Sequence, residues 1–189
     1  MHIPQELIER CKKAERKAQF ELYRSCYGWM MQVCLRYQNN EEDAKDLMNQ
    51  SFLKICDKID QYNSDIPFEA WIRRITINTA IDQYRKSKAN RAHFDVEDLS
   101  ESYWESKMTD VNMAETEMNA ESLRALITAL PPISQKVFNL CVLDGYEYGE
   151  VAELLETSEA TCRWHVHFAR KKLQELVKKT FQTTESVII

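Results

Sequence analysis

Only three glycines and four prolines interrupt a chain of 189 residues, and that scarcity constrains the fold more than any other feature. With so few residues suited to tight turns or left-handed backbone, the chain reads as mainly helical. With 44% hydrophobic and 29% charged residues it can bury one mid-sized core or two small ones. Cys11, Cys26, Cys34, Cys56, Cys141 and Cys162 form no Cys-x-x-Cys pair. Reduced, partly buried thiols are therefore expected, not a disulfide framework.

From residue 4 to about residue 36, Leu7, Ile8, Phe20, Leu22, Tyr23, Met30 and Val33 recur at helical spacing, with a break near Ala14-Glu15 that predicts two helices. A third helix opens with Glu41, Glu42 and Asp43, where carboxylates favour the positive end of the dipole, and buries Leu47, Phe52, Ile55 and Ile59. The stretch QYNSDIP is a loop by its Asn, Ser, Asp and Pro content. The next helix places Phe68, Trp71, Ile72, Ile75 and Thr79 on one face and Arg74, Asn78, Ile81 and Arg85 on another.

The net charge of -5 hides a segregation. Residues 1–92 carry 16 Lys and Arg against 13 Asp and Glu, residues 93–122 carry 1 against 9, and residues 123–189 carry 8 against 8. The middle segment has no sustained apolar stripe, so it reads as a flexible acidic linker between two small helical domains. After it, LRALITAL forms a short helix stopped by a proline pair, Pro132 starts the helix ISQKVFNLCVL, and Asp144-Gly145 ends it. No window is long and apolar enough to span a membrane, and the N-terminus lacks a signal-peptide core. A cytoplasmic protein without membrane insertion is expected.

The stretch GYEYGEVAELLETSEATCRWHVHFARKKL reads as two helices around the turn ETS. The first buries Tyr148, Val151, Ala152 and Leu155; in the second, Cys162, Val166, Ala169 and Leu173 make a core stripe. Thr161, Arg163, Trp164, His167, Arg170 and Lys171 flank or oppose that stripe and stay available to solvent or a partner. A metal site would need Cys162, His165 and His167 to converge, yet at 100° per residue the two histidines point about 160° apart. No metal is expected. A steep helix pair with a cationic, aromatic outer face is a helix-turn-helix, whose second helix can enter a major groove. A plain helical pair has the same pattern. Gly149 in a first helical turn costs up to about 1 kcal/mol relative to Ala.

The stretch LPPISQKVFNLCVLDGYEYGEVAELLETSEATCRWHVHFARKKL resembles the C-terminal promoter-binding domain of bacterial extracytoplasmic-function (ECF) sigma factors. It has the leading Leu-Pro, the Gly-aromatic corner, Glu-Val-Ala and the closing Ala-Arg-x-x-Leu. Independently, DAKDLMNQSFLKICDKIDQYNSDIPFEAWIRRITINTAIDQYRK resembles the N-terminal domain of the same family through Asp-Ala-x-Asp-Leu-x-x-x-x-Phe, Phe-x-x-Trp-Ile-x-x-Ile, Asn78, Asp82 and Arg85. The chain departs from the family pattern at Glu156, where the turn often has Gly, at Gln50 and Lys45, and at Trp164 and Phe168.

The resemblance implies an all-α protein of three parts: residues 1–92 for core RNA polymerase binding and minus-ten recognition, 93–122 as linker, and 123–189 for minus-thirty-five recognition. Polymerase contacts fall on Asp43, Asp46, Leu47, Asn49 and Gln50, with Phe52 more suited to the core. Tyr62, Asn63 and Asn78 suit capture of a melted minus-ten base, since stacking contributes roughly 1–3 kcal/mol per base. Arg73, Arg74, Arg85, Lys86 and Lys88 suit phosphates; Trp71 suits the core and Asp82 a structural hydrogen bond. On the duplex element, Arg163 can pair bidentately with guanine while Thr161, Trp164 and His167 lie near base edges. Arg170, Lys171 and Lys172 would hold backbone. The implied partners are core polymerase, promoter DNA as duplex and as melted single strand, and an anti-sigma factor; no cofactor or small-molecule substrate is implied.

Two other classes stay open on the residues alone. A dimeric helix-turn-helix repressor would bind palindromic DNA without polymerase, and a helical adaptor would leave Arg163 and Trp164 mutationally silent. An enzyme is disfavoured, because no carboxylate pair, nucleophile-base set or phosphate loop stands out.

Overall fold

Apolar residues at helical spacing build two separate cores. The computed structural model describes residues 3–38, 40–91 and 120–185, and the chain divides into two compact units, Met1–Arg91 and Ala92–Ile189. Every regular element described is helical.

The first unit contains α1 (Gln5–Lys12), α2 (Arg16–Tyr37), α3 (Glu41–Lys58) with a 3-10 turn at Ile59–Gln61, and α4 (Phe68–Arg91). The expected break between the first two helices is made by Ala14, whose φ of 55° turns the chain left-handed. Across it the Arg10 guanidinium grips Glu15 through bonds of 2.8 and 2.6 Å. α3 starts where the side chain of Asn40 accepts from the Asp43 amide at 2.8 Å, followed by the anticipated acidic turn.

The core forms where α2, α3 and α4 meet. Leu22, Met30 and Cys34 from α2, Leu47, Met48 and Ile55 from α3, and Ile72, Ile77 and Ile81 from α4 are buried. Hydroxyls inside this core are satisfied along their own helices: Ser51 donates to the Leu47 carbonyl, Thr76 to Ile72 and Thr79 to Ile75. Two expectations need correction. Phe20 is 64% exposed rather than part of the buried stripe, and Ile81 belongs to the core, so the face of Arg74, Asn78 and Arg85 is interrupted.

The second unit contains α5 (Ala120–Thr128), α6 (Pro132–Phe138), α7 (Tyr148–Leu155) and α8 (Glu159–Glu185). α5 takes in the last three residues of the expected linker, 120–122; the rest of that segment, residues 93–119, lies outside the described residues. Pro132 opens α6 as expected, but the single helix anticipated through Leu143 loosens into a π turn over Asn139–Leu143, where the Asp144 amide reaches five residues back to the Asn139 carbonyl at 2.9 Å. Gly145, at φ 76°, then redirects the chain. Ile127, Leu130, Phe138 and Ala169 form one core cluster, with Ala129, Leu173 and Leu176 packed against it. Among the described residues no helix is long and apolar enough to cross a membrane.

Candidate nucleic-acid interface

The helix pair of the second unit is fixed at both sides of its turn. Glu147 and Glu150 form a reciprocal capping box at the start of α7. α7 ends on Glu156 in the left-handed region, φ 52°, and the Thr157 amide bonds back to the Ala152 carbonyl at 3.0 Å. Ser158 caps α8, accepting from the Thr161 amide at 3.1 Å.

Between the helices Val151, Ala152, Leu155, Cys162, Val166 and Ala169 are all buried, as their spacing predicts; Tyr148 is only half-buried. Burial raises the Cys162 thiol pKa. Among the described residues no three potential ligands come together to hold a metal. His165 instead packs inward, with Nδ1 2.9 Å from the Ser134 hydroxyl, and desolvation lowers its pKa.

The outer face of α8 carries Thr161, Arg163, Trp164, His167, Arg170 and Lys171, all exposed. The Trp164 indole stacks on Phe168 at 5.3 Å and 15°, making a flat aromatic step beside the cations. Phe168 thus belongs to this surface, a role its spacing next to Trp164 signals. The Arg163 guanidinium lies 4.4 Å over the Tyr148 ring and 3.2 Å from a Glu159 carboxylate oxygen. Lys172 is turned aside, half-buried and paired with Glu175 at 3.4 Å, which disfavours the backbone contact expected of it.

In the first unit the candidate residues separate. On α3, Asp43, Asp46, Asn49 and Gln50 are exposed, but Leu47 is fully buried and leaves the polymerase-facing set. Its row of Ala44, Met48, Ser51 and Ile55 is the core face of the helix. Asn49 accepts from the Tyr23 hydroxyl at 3.2 Å, and Gln50 accepts from Gln83, which accepts from Gln38. Leu53, one turn beyond Asn49, is 65% exposed on the same side and was not singled out in the sequence.

Tyr62 is also corrected. It packs edge-on against Phe68 at 5.0 Å, touches Trp71 at 5.3 Å and donates its hydroxyl to the Ile66 carbonyl, so its ring is structural. Trp71 is half-buried in the same trio. Asn63 stays exposed, its side-chain oxygen accepting from the Asp65 amide at 3.1 Å. On α4, Arg74, Arg85 and Lys86 are exposed and Asn78 is half-buried. Arg73 is half-buried over Trp29, 5.6 Å from its ring, and is thereby less available to a phosphate. Asp82 pairs with Lys54 at 3.1 Å, linking α4 to α3. The side chain of Lys88 lies outside the described residues.

Comparison with known proteins matches both units. Residues 22–90 fit the family model of sigma-70 region 2, and residues 120–173 that of sigma-70 region 4, together well over half of the chain. The ECF RNA polymerase sigma factor SigE of Mycolicibacterium smegmatis is 28% identical over 170 residues, which cover 88% of this chain and 64% of that one. The ECF RNA polymerase sigma-E factor of Salmonella typhimurium is 27% identical over 185 residues, covering 93% of this chain and 96% of its own. A solved structure of the sigma factor RpoE, in complex with the anti-sigma factor NepR from Bartonella quintana, shares the fold with a TM-score of 0.51 at 17% identity, covering 84% of this chain and 95% of that one. With a region 2 unit followed by a region 4 unit, and ECF sigma factors matched along nearly the whole sequence, the chain belongs to the extracytoplasmic-function family of bacterial RNA polymerase sigma factors.

Proposed function

We propose that this sigma factor divides its work between its two units: residues 1–92 dock on core RNA polymerase and capture the melted minus-ten element, and residues 123–189 read the minus-thirty-five element as duplex. The observation that carries this reading is the segregation of α8, whose apolar row seals the helix pair while Arg163, Trp164, His167, Arg170 and Lys171 remain outside. A helix displayed in this way can place a guanidinium and an aromatic edge on bases, with cations on the flanking phosphates. Such a subunit positions DNA and polymerase and performs no covalent chemistry itself.

On α3, Asp43, Asp46, Asn49 and Gln50, extended by Leu53, form the proposed polymerase contact. For the minus-ten strand the remaining candidates are Asn63, Asn78, Arg74, Arg85 and Lys86, with Lys88 in sequence register beyond them. The nine acids of residues 93–122 would travel along a basic polymerase channel in place of nucleic acid. The working location is the cytoplasm, and an anti-sigma factor is the proposed regulator; the Bartonella relative was captured with one.

Transcription by purified core polymerase on genomic DNA, with and without this chain, tests the reading. New start sites sharing one upstream and one downstream element are expected only when both are present. Tight, specific promoter binding by the chain without polymerase would instead point to a repressor.

A further inference from the structure

We propose that Tyr148 and Glu159 are positioning residues for Arg163, holding its guanidinium in the orientation that reads one base pair of the upstream element. This inference rests on the reading of α8 as the duplex-recognition helix. The Arg163 side chain is 61% exposed, and an arginine on open surface ordinarily samples many rotamers. Bidentate pairing with guanine needs its planar fork in one orientation.

Two contacts supply that orientation from the two sides of the turn. Tyr148 opens α7 and lays its ring 4.4 Å beneath the guanidinium carbon. Glu159 opens α8 and accepts from Nη2 at 3.2 Å, one helical turn before Arg163. Gly149 leaves room for this arrangement, because a Cβ there would stand 3.3 Å from the Glu159 carboxylate oxygen Oε1. The clamp therefore includes a residue that carries no side chain at all.

The exposed ion pair between Glu159 and Arg163 contributes little to stability by itself. Its effect falls on binding: a guanidinium already oriented loses less freedom when it meets a base. Glu159 also places a negative charge beside the phosphates that α8 would approach, which weakens binding to every sequence alike. A carboxylate that weakens general affinity while aligning a base reader increases discrimination rather than affinity.

The test uses the full chain with core polymerase on a promoter library randomised in the upstream element, sequencing bound and unbound DNA. Arg163→Ala identifies the base pair that loses its preference. Tyr148→Leu and Glu159→Gln should each lower the preference at that same base pair by roughly three- to tenfold, and Tyr148→Phe, which keeps the ring, should retain it. Glu159→Gln should also bind all sequences more tightly. Glu159→Asp keeps the charge but withdraws the carboxylate, so it should lose preference without that general gain.

Thermal melting of each variant confirms that the unit is folded. Uniform changes in affinity with the preference intact would overturn the positioning role. So would a change at a different base pair, which would make Glu159 a reader of its own, as carboxylates can be toward cytosine. If Arg163→Ala alters no preference, the assignment of α8 as reader fails and the positioning role falls with it.

Discussion

The Ser134 hydroxyl and Nδ1 of His165 lie 2.9 Å apart, tying α6 to α8 beneath the exposed face. Desolvation there lowers the His165 pKa below its ordinary 6.5. As pH falls, the unfolded chain takes up this proton before the folded one, so stability is complete above about 6.5 and declines as pH drops toward the depressed folded value.

Melting the full chain between pH 7.5 and 5.5 should therefore show a falling midpoint for the second unit. His165→Gln, which can still accept from Ser134, should flatten the decline specific to this histidine. Equal pH dependence in wild type and variant would exclude His165 as its source.

Among the described residues two non-glycines adopt left-handed backbone, Ala14 at φ 55° and Glu156 at φ 52°, each at a joint between helices. A Cβ in that region costs roughly 1–2 kcal/mol, partly offset on replacement by the extra freedom glycine gains when unfolded. Ala14→Gly and Glu156→Gly should each stabilise their own unit by about 0.5–1 kcal/mol, which is roughly 2–8 °C in a unit this small. A lowered midpoint for either variant would show that the native side chain contributes more than its backbone strain removes.

The helix-turn-helix was legible because its two helices must each bury a row where they meet, and Val151, Leu155, Cys162, Val166 and Ala169 announce that row directly. Leu47 shows where motif matching falls short. It lies in the segment that resembles a polymerase contact, but a motif records which residues recur, not which way they point; the helical row through Ala44, Met48, Ser51 and Ile55 settles its burial.

Tyr62 had no such row, because it sits in a loop whose packing depends on Phe68 and Trp71 folding back over it. The π turn at Asn139–Leu143 was equally invisible, since one extra residue in a helical turn leaves no compositional trace. The Tyr148–Arg163–Glu159 cluster was hidden because it joins two helices across a turn of unknown angle.

Cys26 and Cys34 are buried in the core of the first unit, and desolvation pushes each thiol up to about 12. Only the thiolate reacts with an alkylating agent, so both are protected by access and by protonation. With iodoacetamide at pH 8, peptide mapping should find Cys26 and Cys34 unmodified in the native chain and modified after denaturation. Rapid labelling of the native protein at either position would contradict this packing of α2.

Asp46 and Leu47 are neighbours on α3 with opposite surroundings, one exposed and the other fully buried. Their substitutions should therefore separate binding from folding. Leu47→Ala removes apolar contacts and leaves a cavity among α2, α3 and α4, at a cost of about 2–5 kcal/mol in stability. Asp46→Lys changes no buried surface, so the melting transition should stay within about 0.5 kcal/mol of the native one. Its effect should appear in pull-down with core polymerase, where a reversed charge at the proposed contact weakens capture. Capture that persists in folded Asp46→Lys protein would remove this stripe from the interface. An unchanged melting curve for Leu47→Ala would contradict the buried position that took Leu47 out of it.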